Sequence, residues 1–163
     1  MPSTVTRATA AGHRSHGAGP ADTLTDRSLS FLVRHAHRAF VARLACGLLP
    51  HRVSVAEWAV LRMLWQQEGV TQVALADRMR VQKSSLTPVL SSLERKSFMH
   101  RTRREDDRRS QHLFLTERGR RLKAELLPIG VAINRSALVG IDPAHAGLAA
   151  DLLERVIANL ESQ

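Results

Sequence analysis

Cysteine is nearly missing from this 163-residue chain, and no apolar run approaches the roughly 20 residues that a membrane-spanning helix needs. The one cysteine, Cys46, has no partner for an internal disulfide, which accords with a reducing compartment. The opening residues hold no continuous apolar stretch of the kind that directs secretion, so a cytoplasmic protein with no membrane partner is expected. The chain has no glycine-rich phosphate loop and no serine in a strained elbow. Its acids are scattered, with no pair marked for acid-base work, so neither an enzyme nor a cofactor is expected. Negative charge is scarce: 15 Asp and Glu face 24 Lys and Arg, a formal net charge of +9. Such a surface attracts polyanions, of which nucleic acid is the commonest.

What is present begins with a tail. Residues 1–22 are rich in Ala, Gly, Ser, Thr, Pro and His and offer almost nothing large and apolar to bury, so they read as disordered. From Thr25 the pattern changes. Leu29, Leu32, Val33, Ala36, Phe40 and Leu44 recur at three- and four-residue steps, predicting a helix that Pro50 stops. Ser54 with Glu57 three residues later reads as a capping box for a second helix carrying Trp58, Leu61, Met63, Leu64 and Trp65. Thr71 caps a short third helix. After a break at Arg80-Val81, a fourth runs from about Ser84 to Lys96 with Leu86, Val89, Leu90 and Leu93 inward, giving a helix-turn-helix.

Phe98–Arg103 and Gln111–Leu115 are then the arms of one β-hairpin. Between Arg95 and Arg109 seven Lys/Arg face three acids, more positive charge than a solvated loop needs, and the hairpin reads as a DNA-binding wing. Thr116 opens a fifth helix, which Pro128 is expected to kink. Asp142-Pro143 opens a sixth, lined by Leu148, Leu152, Val156 and Leu160. The first and the last two helices carry more apolar surface than the small centre can cover, so a second copy of the chain is expected to cover it. The expected class is mainly α with a small β-hairpin wing. A helical dimerisation region (23–49 and 117–163) brackets a winged helix-turn-helix domain (53–116).

Over nearly all of Thr25 to Leu160 the chain resembles the MarR family of winged helix-turn-helix transcription regulators. The resemblance rests on Thr71 to Met79 as the first helix of the motif and on Lys83 to Leu90 with Leu93-Glu94-Arg95-Lys96 as the recognition helix. Asp107-x-Arg109 followed by Leu115-Thr116 is the wing signature. Two positions depart from it: Ser97 and Arg80 stand where the family prefers glycine. The resemblance implies a homodimer, a repressor rather than an activator, whose paired recognition helices enter successive major grooves of a pseudo-palindromic double-stranded DNA site.

Chemistry then nominates contacts. Gln82, Lys83, Ser84, Ser85 and Thr87, at the polar start of the recognition helix, are candidates for base edges and phosphates, with Arg95 nearer the backbone. Arg101, Arg103, Arg104 and Arg108 are candidates for phosphates. By resemblance Arg109 enters the minor groove, held by Asp107.

The resemblance also implies release by a small aromatic or phenolic anion. An arginine can grip a carboxylate through two hydrogen bonds, and an indole can stack on a ring. Arg34, His35, His37 and Arg38 on the first helix, with His51, Trp58 and Arg62, are the candidate ligand residues. Redox sensing is a lesser alternative: Ser30 stands where a peroxide-sensing branch has its reactive cysteine, and Cys46 is expected to be a buried small residue. Metal sensing through His35, Cys46 and His51 matches no standard zinc spacing. A less specific architectural DNA-binding protein is the remaining alternative.

Overall fold

The computed structural model describes residues 28–103 and 110–162. Contacts divide the chain at Arg38/Ala39 into two units. The division falls inside helix α1 (Leu29–Leu48), whose first half belongs to the N-terminal unit. There Leu29, Leu32 and Val33 are exposed, an apolar stripe without cover.

The larger unit takes up the second half of α1. A short 3-10 turn over Leu49–His51 contains Pro50, which has no N–H to continue an α-helix, and Arg52 reverses the chain in the left-handed region at φ 55°. Helix α2 (Val55–Gln66) starts in the expected capping box: Ser54 Oγ accepts from the Glu57 amide, and a Glu57 carboxylate oxygen accepts from the Ser54 amide at 2.7 Å. Gly69, at φ 74°, turns the chain into β1 (Val70–Thr71). Thr71 caps α3 (Gln72–Met79), Arg80 ends it at φ 55°, and α4 (Lys83–Arg95) follows. Ser97, at φ 57°, leads into β2 (Met99–Arg103), which pairs with β3 (Gln111–Leu115). Thr116 caps α5 (Glu117–Ala137), which continues on both sides of Pro128, and Asp142 with Pro143 opens α6 (Pro143–Glu161).

The sheet differs from the expected two-armed hairpin. Val70 and Thr71 pair antiparallel with Leu113 and His112, so β3 is the centre of a three-stranded sheet in the order β1-β3-β2. Two residues carry no alternation to read, and the pairing exists only because Gly69 delivers the chain to β3, where its amide donates to the Leu113 carbonyl.

One core fills this unit. Val60, Leu61 and Leu64 of α2 meet Leu75 of α3, Leu86, Leu90 and Leu93 of α4, Met99, Leu113 and Leu115 of the sheet, and Leu122 and Leu126 of α5. Val89, expected inward, is only partly buried. Helix α6 contributes no buried residue, and Leu148, Leu152, Leu153, Ile157 and Leu160 stand exposed along it. Cys46 corrects the sequence reading. It is exposed, in a groove with Arg43 of α1 and Ile129 and Ile133 of α5, because α1 turns a different face to the core.

Candidate nucleic-acid interface

Helix α4 is amphipathic in a way that fixes what it can present. Leu86, Leu90 and Leu93 anchor one face in the core, so Ser84, Thr87, Pro88, Ser91 and Arg95 stand exposed on the other. Gln82, Lys83 and Ser85 are exposed at its start. Ser91 and Pro88 escaped the sequence reading, although Ser91 lies seven residues from Ser84 and so shares its face. Two hydroxyls have work inside the protein: Ser85 Oγ donates to the Gln82 carbonyl at 2.7 Å, and Thr87 Oγ1 accepts from Gln72 Nε2 at 2.9 Å. The Gln72 amide also donates to the Lys83 carbonyl at 3.0 Å. The first residue of α3 thus holds the first turn of α4, and no local pattern in the sequence marks it.

The other end of α4 is fixed by a half-buried ion pair. Glu57 is 2% exposed, and both its oxygens lie 2.7 Å from Lys96 Nζ, which also donates to the Arg52 carbonyl. Burial pushes the Glu57 carboxyl up. Hydrogen bonds from Lys96, the Ser54 amide and Ser92, with the Lys96 charge, outweigh this and leave its pKa lowered. Lys96 belongs to the cationic run read from the sequence, but its charge is used inside the domain.

At the root of the wing, β3 runs directly into α5. The Thr116 amide donates to the Phe98 carbonyl at 3.1 Å, and its hydroxyl to the Ser97 carbonyl at 2.7 Å. Trp65 Nε1 donates to the Gly119 carbonyl at 2.9 Å. A Cβ on Gly119 would overlap the Phe98 carbonyl oxygen, so this crossing requires glycine. Glu68 adds a bidentate pair with Arg120, at 2.9 and 2.8 Å, and accepts from the Leu115 amide. Its pKa is lowered, chiefly by the Arg120 hydrogen bonds.

The wing cations have different surroundings. Arg103 is exposed and Arg95 donates to Ser92 Oγ at 3.4 Å. Arg101 is partly buried, with Nε 3.6 Å from a Glu94 carboxylate oxygen. Arg104, Asp107, Arg108 and Arg109 lie outside the described residues.

Of the candidate ligand residues in the larger unit, Trp58 and Arg62 come together, the guanidinium carbon 4.8 Å from the indole centroid. Trp58 Nε1 is buried without a hydrogen-bond partner among the described residues, and the ring abuts Gly130 of α5. His51 is engaged elsewhere, with Nδ1 3.1 Å from Glu125 in a recess that also holds Phe98, Arg118 and Arg121. In the N-terminal unit Arg34, His35, His37 and Arg38 are exposed on α1, with the His35 ring against Phe31. Among the described residues no group of three His, Cys, Asp or Glu is placed to hold a metal ion.

Comparison with known proteins agrees with this geometry. A sequence model described as MarR family matches residues 53–111. The transcriptional regulator TtmR of Methylorubrum extorquens is 33% identical over 101 residues, 62% of this chain and 52% of TtmR. The chain therefore spans about half the length of that relative. SarZ of Staphylococcus aureus, also a transcriptional regulator, is 28% identical over 66% of this chain and 72% of SarZ. Among solved structures, the transcriptional regulator PA3341 superposes with a TM-score of 0.74 at 31% identity, over 82% of this chain and 98% of its own. CouR of Rhodococcus jostii RHA1, solved with p-coumaroyl-CoA, gives 0.72 at 25% identity, over 80% and 92%.

Proposed function

Because this chain belongs to the MarR family of transcriptional regulators, we propose that it is a homodimeric repressor, released from a pseudo-palindromic operator by a small aromatic carboxylate or phenol. The observation that carries the reading is α4 itself: its apolar face is sunk in the core, and its opposite face is polar, exposed and clamped at both ends by Gln72 and by Lys96–Glu57. A reading helix must be rigid in this way, since a side chain that wanders loses the discrimination of about 1–3 kcal/mol available per base contact. Gln82, Lys83 and Ser84, with Ser91 added, are the base-edge candidates. Arg95 and Arg103, together with Arg104, Arg108 and Arg109 of the wing, meet the backbone and minor groove, with Asp107 steadying Arg109.

Dimerisation is supported by the exposed stripes of α1 and α6, each too apolar to remain in water. Effector binding is supported by the Arg62–Trp58 pair and the unpartnered indole N–H, which offer a cation, a ring face and a donor. The p-coumaroyl-CoA held by CouR is an aromatic acyl compound of related chemistry. Footprinting on DNA flanking the gene, with and without hydroxylated aromatic acids, tests the proposal. It expects protection of a discrete pseudo-palindrome that one acid abolishes. Protection indifferent to every acid removes the effector reading, and diffuse binding favours an architectural protein.

The exposure of Cys46 supports a second reading, a redox response. Thiol alkylation that releases DNA would favour it.

A further inference from the structure

We propose that Arg101 is a positioning residue that sets the wing against the recognition helix, and is not one of the arginines that grip phosphate. The inference rests on the DNA-binding reading above and reassigns one residue within it. Strand register places Arg101 opposite Leu113 and two residues from Met99, both 1% exposed, so its side chain leaves the sheet on the core-facing side. There it meets α4: its Nε lies 3.6 Å from a carboxylate oxygen of Glu94 in the last turns of the helix. Both Nε and Nη2 are closed to solvent and have no hydrogen-bond partner among the described residues. These two nitrogens form the edge with which a guanidinium grips a phosphate side-on, and here that edge faces the protein interior.

Arginine cannot shed its charge to relieve the burial, and an unsatisfied buried donor is costly to the fold. Glu94 is equally hard to explain alone. It carries a negative charge beside Arg95 on the helix offered to DNA, and near a helix C-terminus, where the dipole disfavours it. Together they make a strut: a charge on β2 and its counter-charge on α4 fix the distance between wing and reading helix, so both reach the duplex in register.

The two roles predict opposite signs for Glu94→Gln. As a strut partner, its loss loosens the wing and weakens binding. As a mere neighbour of a phosphate-gripping Arg101, its loss removes a repulsive charge and tightens binding. The experiment uses the full chain and a duplex that the unaltered protein enriches from a random-sequence pool, with affinity measured across a salt series. Expected are losses of about fivefold for Arg101→Gln and for Glu94→Gln, and no further loss in the double variant. The salt slope of log affinity should not change. A slope reduced by about 0.9 in Arg101→Gln, the mark of one lost phosphate contact, overturns the strut, as does tighter or equal binding by Glu94→Gln. Thermal melts check folding, and if Arg101→Gln does not fold, the exposed Glu94→Gln carries the test alone. Failure to enrich any duplex overturns the DNA-binding reading and this inference with it.

Discussion

Glu57 does two jobs that the sequence shows as one. Its place three residues after Ser54 announces the capping box, which is local. Its pairing with Lys96, 39 positions away, is tertiary and left no mark in the pattern. Because its pKa lies below the ordinary carboxylate value, the folded protein holds fewer protons on this group than the unfolded chain does. The stability it contributes is therefore complete above the usual range, about 4.3, and is lost as pH falls through the lowered value. Glu57→Gln leaves Lys96 without a counter-charge. The cost should be about 2 kcal/mol at neutral pH, below the 3–5 kcal/mol of a fully buried pair because the lysine side chain is 33% exposed. Urea midpoints at neutral and acid pH check this: the variant should lose less stability on acidification than the parent. Equal losses would remove Glu57 from the acid response. Cys46 was misjudged because composition and spacing say what a side chain is and not which way its element faces.

At the scale of elements, most of the fold was legible because helix ends are local chemistry. Ser54, Thr71 and Asp142 each cap the helix they were read to cap, and Thr116 caps the one it was read to open. Arg80 and Ser97 do take the positive φ that glycine prefers there, so the turns keep their geometry at some strain. Strand β1 was missed because only its partner defines it. The crossing of α5 beneath Phe98 was also hidden, though the glycine itself was in view. Gly119→Ala forces a methyl group into the Phe98 carbonyl, a backbone atom that cannot swing aside, and should destabilise the protein by about 3 kcal/mol. Its melting midpoint should fall by roughly 6–12 °C. An unchanged midpoint would mean that wing root and α5 are not held this closely.

For the whole molecule, the exposed leucines of α6 bear on assembly. Leu152→Glu places a charge in the middle of that stripe, at a residue 49% exposed, and should leave the fold of the larger unit intact while shifting the proposed homodimer to monomer in equilibrium sedimentation. A variant that remains dimeric moves the interface off α6. Charge also looks different once partners are counted. Lys96, Arg101, Arg120 and Arg80, the last paired with Glu161, all face carboxylates, so the net charge of +9 does not measure what is offered to DNA. Finally, the hydrogen-bonded knot of Ser97, Phe98, Thr116 and Gly119 makes the start of α5 a fulcrum. A helix of its 21 residues is a lever arm of about 30 Å. A sideways push of about 2 Å at its far end therefore arrives at the reading head as a rotation of roughly 4°.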